Sequence, residues 1–371
     1  MNARLFTTTF LVVFTLLVSS SLSAQTSDTL PDPDGEPADM TRKVKVFIIM
    51  GQSNTLEMGK VKGDQEGSLQ YATETENLYP FMIDDAGEWT VRNDVRNVHV
   101  MGSGGPGKSN IQRNDWLTVS GGKIGIEIGI GHHLGHHLDE PVLTLKSAIG
   151  NRSLGWDLLP PGSPSYEFDL EVKDKKTKQV ENKTYVYAGY GQSPDKWLKG
   201  TEPQPINWKA GVQYDGDVAR AKQVLENLSE YYPGATAETG YEVAGFLWWQ
   251  GDKDRYNTGH AAMYEKNLVN LIAALRKDFE APEAKFVCAT LGQTEKENAT
   301  GNEKLIIDAM LAINDQEKYP TLRDNVATVY THPLSMGSSS NAHYGGNAKT
   351  YMNVGEAMGK AMVELLKVDS D

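Results

Sequence analysis

Apolar and polar positions along the chain alternate between strand-like and helix-like patterns. Short apolar runs predict strands at residues 44–50, 142–148, 243–249, 285–291 and 326–330, with a further short strand at 97–100. Amphipathic patterns predict helices at residues 124–138, 217–231, 261–279, 303–315 and 347–367. Strands that alternate with helices favour an α/β fold: a flavodoxin-like three-layer α/β/α sandwich with a central parallel sheet and right-handed crossovers.

Two stretches interrupt this alternation. Residues 60–120 lack clean periodicity and predict long loops with short strands. Within an insertion at about 160–208, alternating residues in Tyr166–Val172 and Thr184–Ala188 flank a Lys-rich turn and predict a β-hairpin. The aromatic side chains of this hairpin either line a substrate groove or pack the hairpin onto the body of the protein.

The N-terminal residues 1–24 have the pattern of a secretory signal peptide. Arg4 supplies a positive charge, residues 10–18 form a short apolar core, and Ser21–Ala24 offers small residues for cleavage. An uncleaved anchor is the alternative. Residues 25–42 are rich in Asp, Pro, Thr and Ser, which predicts a disordered leader. The remaining residues, 43–368, are then a single folded domain. We expect the mature protein to be secreted or periplasmic and to have no membrane span after signal removal.

Charge and cysteine content restrict the possible partners and crosslinks. The formal net charge of −13 argues against nucleic acid or an anionic membrane as a partner, since both bind basic surfaces. Cys288 is the only cysteine, so the chain cannot form an intramolecular disulfide. Its apolar neighbours indicate a small core residue rather than a nucleophile.

The first candidate for chemistry is Ser53. It lies in Gly51–Asn54, a small polar cluster directly after the first apolar strand. In open parallel sheets, ligands bind outside the carboxyl ends of the strands, where a nucleophile would be useful. The alternative is a polar strand-to-helix turn in which Ser53 or Asn54 caps the next helix.

A serine nucleophile needs a base, and His343 is the candidate. It lies in a polar loop, residues 338–347, between the last predicted strand and the last predicted helix, at the same edge as Ser53. Four other histidines have helical spacing, namely His132, His133, His136 and His137. They lack the Glu that a zinc protease places between such a pair, so we interpret them as surface residues and expect no metal.

A third strand end carries polar residues. The apolar run at 246–249 ends in Gln250-Gly251-Asp252, followed by Asp254. The Gln250 side chain offers an N–H donor that could stabilise an oxyanion, whereas Asp254 is also explained as a capping residue.

Taken in order, five segments resemble the SGNH-hydrolase superfamily and, within it, the sialate O-acetylesterase-type branch, carbohydrate esterase family 6. These segments are Gly51–Asn54, Gly125–Glu127, Gly150–Trp156, Trp249–Asp254 and Asn341–His343. The resemblance covers roughly residues 43–368, with the hairpin as an addition.

The resemblance implies specific roles. Ser53 would be the nucleophile and His343 the general base, without metal or cofactor. The Ser53 and Gly125 backbone N–H groups and the Gln250 side chain would form the oxyanion hole. Further candidates for binding the oxyanion or the substrate are Gln52, Asn54 and Arg152.

Two positions depart from the family pattern. Ser340 stands three residues before His343, where the family has Asp, and Asp252 stands where the family has Glu. Either a Ser–His dyad operates, or another carboxylate such as Asp252 or Asp254 approaches His343 and acts as the catalytic acid partner.

The sequence therefore predicts a serine carboxylic-ester hydrolase that is exported and removes O-acetyl or similar small acyl groups from carbohydrate. Acylated carbohydrate is the expected binding partner. Two alternatives remain: a weakly active or silent glycan-binding protein on the same scaffold, and a general aryl or lipid esterase.

Overall fold

The computed structural model describes residues 30–107 and 109–368. The strands are β1 (Val44–Gly51), β2 (Gly59–Lys60), β3 (Arg92–Met101), β4 (Asn110–Leu117), β5 (Lys123–Ile124), β6 (Val142–Ser147), β7 (Tyr166–Lys173), β8 (Val180–Tyr187), β9 (Lys196–Leu198), β10 (Tyr241–Trp249), β11 (Lys285–Ala289) and β12 (Val326–Val329). The helices are α1 (Leu69–Glu74), α2 (Glu127–His137), α3 (Val212–Glu226), α4 (Leu228–Tyr231), α5 (Thr258–Ala262), α6 (Tyr264–Asp278), α7 (Gly301–Ala312) and α8 (Ala348–Lys367).

The central sheet has seven strands in the order β12-β11-β10-β1-β6-β3-β4. Every neighbouring pair is parallel except β3–β4, which is antiparallel. The α/β fold with a central, mostly parallel sheet is therefore confirmed. Because β1 lies between β10 and β6, the loops that follow these three strands are neighbours at the carboxyl edge.

Side chains of β1 alternate between two apolar cores. Val46 and Ile48 face the core that α3, α6 and α7 cover, whereas Phe47 and Ile49 face the core under α2 and α8. Helices on both faces complete the three layers. The helices α2 and α8 approach very closely, since a Cβ on Gly129 would lie only 2.4 Å from the Glu356 backbone nitrogen.

The largest differences between predicted and observed elements concern two helices and the strand β4. The helix predicted at 217–231 begins earlier and is divided at Asn227 into α3 and α4, and the helix predicted at 261–279 is divided at Met263 into α5 and α6. The strand β4 lies in the stretch predicted as long loops with short strands, but no strand was predicted at its residues. Its residues are mostly polar and exposed because it forms the antiparallel edge of the sheet, so it lacks the apolar signature of a buried strand.

The predicted hairpin is present as β7 and β8, which pair in antiparallel register from Tyr166↔Tyr187 to Lys173↔Val180, with β9 as a third strand. The rings of Tyr166 and Tyr187 stack with centroids 5.0 Å apart. These two aromatic side chains therefore pack against each other within the hairpin.

The predicted signal peptide, residues 1–24, lies outside the described residues, as do residues 25–29. Residues 30–42 contain no helix or strand, but the side chain of Leu30 is buried in the core under α2 and α8. Among the helices of the described residues, none is both long and apolar enough to cross a membrane.

The interpretation of the α2 histidines is wrong for two of the four. His132 and His133 are buried, whereas His136 and His137 are exposed. The reason is that α2 lies between the sheet and its neighbours, and His132 packs on Phe81 with ring centroids 4.8 Å apart. Within residues 30–107 and 109–368, no group of three or more His, Cys, Asp or Glu could hold a metal ion. Cys288 is buried in β11, as predicted.

Candidate active site

The position of the Ser53 turn is set by the close approach of β1 and β10. After β1, residues Ser53–Thr55 form a single 3-10 turn. Gly51 has φ +146°, and a Cβ there would lie 2.4 Å from the carbonyl oxygen of Trp249 in β10. Only glycine fits this backbone and this spacing, so Gly51 fixes how the Ser53 turn leaves the sheet.

Ser53 is partly exposed and lies beside the loop that follows β6. A Cβ on Gly150 in that loop would lie 3.4 Å from the Ser53 Cβ. In the part of the chain that the structure describes, the backbone N–H groups of Ser53 and Gly150 donate to no protein acceptor. Two free N–H groups thus lie close to the Ser53 side chain.

Gln52 and Gln250 tie the ends of β1 and β10 together. The Gln52 Oε1 accepts from Gln250 Nε2 at 3.1 Å and from the Lys253 backbone N–H at 3.2 Å. Gln250 Nε2 also donates to the Arg152 carbonyl at 2.9 Å and to Asp254 Oδ2 at 2.6 Å. Both amide hydrogens of Gln250 are therefore shared among acceptors of the protein itself.

Gly125 lies near the same turn, but its backbone N–H is also occupied. It donates to Glu127 Oε1 at 3.0 Å. Glu127 Oε2 in turn accepts from Lys146 Nζ at 2.5 Å, and Lys146 also donates to Glu57 at 3.0 Å. Burial opposes charge on Glu57, yet the Lys146 ammonium holds the pKa of Glu57 well below its usual range. This buried charge cluster supports the turn from beneath.

His343 lies in the segment Ser340–Gly346, whose Cα atoms come within 8 Å of those of the Ser53–Thr55 turn. His343 and the next residue, Tyr344, both have φ +52°. The Tyr344 ring is buried, stacks on Trp249 with centroids 5.7 Å apart, and its hydroxyl accepts from the Gly292 N–H at 3.2 Å. Among the described residues, no group forms a hydrogen bond with the His343 ring.

Asp252 connects the two ends of the site. Its Oδ2 accepts from Asn54 Nδ2 at 2.9 Å, and its Oδ1 accepts from the Ser340 hydroxyl at 2.5 Å and from Arg255 at 2.8 Å. Asn54 follows Ser53 and Ser340 precedes His343 by three residues. Burial raises the pKa of the Asp252 carboxyl, and the hydrogen bonds from Ser340 and Arg255 oppose this. One buried carboxylate thus holds the Ser53 turn and the His343 segment together.

Arg152 lies at the rim, two residues after Gly150. Its guanidinium donates to Ser103 Oγ at 2.8 Å and to Gln213 Oε1 at 3.1 Å, and lies 5.2 Å from the centroid of the Trp208 ring. Neutral groups hold it, and no described carboxylate forms an ion pair with it. A half-buried, unpaired guanidinium can bind an acceptor on a substrate.

The geometry brings together almost all residues that the sequence singled out. Gln52 and Asn54, on either side of Ser53, are hydrogen-bonded to Gln250 and Asp252, and the His343 segment and Arg152 lie beside them. Gly150 is an addition that sequence reasoning left without a role. Its signal was available, since it follows the predicted strand at 142–148, but only the strand order shows that β6 is next to β1.

The mostly parallel sheet thus presents Ser53, the His343 segment and the buried carboxylate of Asp252 at one edge. The family model for carbohydrate esterase, sialic acid-specific acetylesterase, matches residues 161–364, more than half of the chain. The chain belongs to this family, and membership makes it an esterase that acts on carbohydrate. The matched segment includes Gln250, Asp252 and His343 and begins after Ser53.

Solved structures give more distant similarities, and no curated protein matches the chain. A protein from Arabidopsis thaliana is 13% identical over 86% of this chain and 98% of its own, with a TM-score of 0.46. A carbohydrate acetylesterase from Xanthomonas citri is 13% identical over 85% of this chain and 55% of its own, with a TM-score of 0.49. NanS is 13% identical over 90% of this chain and 99% of its own, with a TM-score of 0.45.

Proposed function

We propose that this protein is an exported serine esterase that removes O-acetyl or similar small acyl groups from carbohydrate. The observation that carries the proposal is the bridge at Asp252, which accepts hydrogen bonds from Asn54 at 2.9 Å and from Ser340 at 2.5 Å. A single buried carboxylate that joins the neighbours of a strand-end serine and of a loop histidine is what a two-loop catalytic site requires.

In the proposed reaction, His343 removes the proton from the Ser53 hydroxyl while the Ser53 oxygen attacks the ester carbonyl. The tetrahedral intermediate collapses to acyl-Ser53, and the protonated His343 gives its proton to the sugar alkoxide that leaves. Water then attacks acyl-Ser53 with His343 as base, which releases acetate and restores the serine. No cofactor takes part in these steps.

Asp252 acts in this proposal as a positioning residue through Ser340. The family places an Asp three residues before the catalytic histidine, and here the Ser340 hydroxyl at that place donates to Asp252 at 2.5 Å. The negative charge is therefore displaced by one hydrogen bond rather than lost. Hydrogen bonds of catalytic groups are often long in a site without substrate, so the unpaired His343 ring is compatible with a base that is oriented when substrate binds.

For the oxyanion hole, we favour the backbone N–H groups of Ser53 and Gly150, because both are free of protein acceptors and Gly150 packs on Ser53. Gly125, named in the sequence-based prediction, donates instead to Glu127. Gln250 remains a prediction as the third donor, since one of its amide hydrogens would have to leave a present acceptor. Arg152 at the rim would contact the sugar.

The proposed domain is residues 43–368 with the insertion at about 160–208, preceded by a signal peptide at 1–24 and a leader at 25–42. Export to the periplasm or the exterior rests on the signal pattern alone: Arg4, the apolar residues 10–18 and the small residues that follow.

The test uses Ser53→Ala and His343→Ala variants. Acetate release from acetylated xylan, acetylated pectin and O-acetylated sialic acid should fall by at least a thousandfold in both variants, because nucleophile and base act as one unit. A fluorophosphonate probe should label wild-type Ser53 and leave Ser53→Ala unlabelled. Undiminished hydrolysis by either variant would overturn the assignment, and circular dichroism would show that both variants are folded.

One observation favours a second candidate, a silent glycan-binding protein on the same scaffold: no described residue forms a hydrogen bond with the His343 ring. In that case the wild type would bind a polysaccharide, release no acetate and resist the fluorophosphonate. Labelling of Ser53 would eliminate this candidate. Preference for p-nitrophenyl or longer acyl esters over sugar acetates would instead identify a general aryl or lipid esterase.

A further inference from the structure

Tyr256 is the most exposed large hydrophobic side chain among the described residues, with 72% of its surface accessible. It lies in a short 3-10 turn, Asp254–Tyr256, that follows the carboxyl end of β10. An aromatic ring gains free energy when its apolar faces leave water, so a ring this exposed contributes little to folding. Its position at the edge that carries the candidate site therefore calls for another explanation.

The Tyr256 side chain contacts residues beside the candidate site on both sides. Its hydroxyl accepts a hydrogen bond from Asn341 Nδ2 at 3.3 Å, and Asn341 is two residues from His343. The Arg255 guanidinium lies 5.8 Å from the ring centroid and donates to Asp252 at 2.8 Å. The ring is thus attached both to the His343 segment and to the carboxylate that joins the two loops.

The surroundings of the ring favour an amphipathic ligand over an apolar one. Arg255 and Asn341 border it, and the Arg255 guanidinium also pairs with Glu303 at 3.6 Å. A pyranose ring has an apolar C–H face that packs on an aromatic face, and hydroxyl groups at its edge that pair with amide and guanidinium groups. Because Arg255 and Asn341 are polar, a ligand with hydroxyl groups at its edge suits this surface better than an apolar one does.

We infer that Tyr256 is the platform on which a pyranose ring of the acylated carbohydrate stacks, so that its ester reaches Ser53. This inference rests on the proposed function and adds to it the residue that recognises the sugar. It differs from one of the two alternatives that the sequence left open, namely that aromatics of the β-hairpin line a substrate groove, since Tyr166 and Tyr187 stack on each other. The platform comes instead from the turn after β10.

The experiment compares Tyr256→Ala with wild type on three acetate esters: acetylated xylo-oligosaccharide, O-acetylated N-acetylneuraminic acid, and glycerol triacetate, which has no ring. For the sugar ester that wild type hydrolyses best, KM should rise about tenfold with kcat within about twofold. The kcat/KM for glycerol triacetate should be unchanged. Tyr256→Phe and Tyr256→Trp keep a ring and should stay within about threefold of wild type.

The matched control is Tyr241→Ala, since Tyr241 is also an exposed tyrosine of the β10 region but lies at the opposite, amino end of that strand. It should leave all three substrates unaffected. An unchanged KM for the sugar ester in Tyr256→Ala would overturn the inference, as would an equal loss on glycerol triacetate.

A binding measurement tests the role of Tyr256 independently of the proposed esterase activity. In a Ser53→Ala background, calorimetry with xylo-oligosaccharide and with N-acetylneuraminic acid should detect binding that Tyr256→Ala weakens about tenfold. That result supports the platform even if wild type releases no acetate, in which case only the proposed esterase activity fails. Equal binding by both proteins would overturn the platform while leaving the esterase assignment in place.

Discussion

The serine end and the histidine end of the candidate site are held by different forces. At the serine end, the turn is fixed by the side-chain hydrogen bonds that Gln52 accepts and Asn54 donates, and by the close packing of Gly51 on Trp249. At the histidine end, two successive residues with φ +52° hold the backbone, and the buried Tyr344 ring supports that conformation. The proposed nucleophile, Ser53, is thus positioned by many local contacts, whereas the proposed base, His343, is positioned by a strained backbone.

This difference has a consequence for how each end responds to change. A turn fixed by tight packing tolerates no added atom, while a strained segment depends on the groups that compensate its strain. Asp252 is the only described side chain that hydrogen-bonds to both Asn54 and Ser340. A change at Gly51 therefore tests the packing of the serine end, and a change at Ser340 tests its link to Asp252. A change in the helix layer tests the support beneath both ends.

The largest effect is expected from Gly51→Ala. The new Cβ would lie 2.4 Å from the Trp249 carbonyl oxygen at φ +146°, so β1 and β10 must separate. Overpacking and backbone strain together should lower the free energy of unfolding by roughly 3–5 kcal/mol. Urea unfolding followed by tryptophan fluorescence measures this.

The matched control for that change is Gly63→Ala. Gly63 has nearly the same backbone, φ +149°, but its nearest neighbour would be the Ser68 Cβ at 3.3 Å. Strain alone should then cost about 1 kcal/mol. Equal losses in the two variants would mean that close packing of β1 on β10 does not fix the serine end.

The second prediction concerns Ser340, which stands where the family has an aspartate. Ser340→Asp places a carboxylate where the Ser340 hydroxyl now donates to Asp252 at 2.5 Å. Two carboxylates so close repel and cannot both ionise, so kcat/KM for an acetate ester should fall about a hundredfold, or about 2.7 kcal/mol. Initial rates on glycerol triacetate measure the effect.

The double variant Ser340→Asp with Asp252→Asn tests the physical reason. It keeps one negative charge in the site and places it three residues before His343, so activity should return to within about tenfold of wild type. If Ser340→Asp alone were more active than wild type, Asp252 would not serve the site through Ser340.

Much of the fold was open to prediction because the sheet is buried on both faces. Apolar runs marked the parallel strands, and Gly51-Gln52-Ser53-Asn54 stood out as a polar end to one of them. The edge strand β4 was missed because an exposed antiparallel edge carries polar residues, as at Asn110 and Gln112. The buried state of His132 was missed because polar side chains give no apolar signal.

The candidate site was open to prediction only in part. The resemblance identified Ser53, His343 and Gln250 by their motifs, but the bond between Asp252 and Ser340 joins residues 88 positions apart. No spacing rule indicates such a pair, and Asp252 and Asp254 were equally plausible from the sequence. The structure distinguishes them, since Asp254 accepts instead from the Leu154 and Gly155 N–H groups at 2.9 and 2.8 Å.

The smallest predicted effect concerns the layer that supports both ends. The helix α2 begins just after Gly125, near the serine turn, and packs on α8, which follows the His343 segment. His132 in α2 is buried with neither ring nitrogen hydrogen-bonded, and burial lowers the pKa of His132 to about 3. The folded protein therefore keeps this ring neutral under conditions where the unfolded chain protonates it.

The lowered pKa of His132 determines how the free energy of unfolding changes with pH. Below pH 6.5 the unfolded chain binds a proton at His132 that the folded protein does not, so stability falls from about pH 6.5 down to about pH 3. Between pH 7 and pH 5 the loss should be about 2 kcal/mol for this residue. His132→Leu should remove that part of the acid sensitivity, whereas the exposed control His136→Gln should retain it. Urea unfolding at pH 7 and pH 5 measures both variants. An unchanged pH response in His132→Leu would show that protonation of His132 does not contribute to the acid loss.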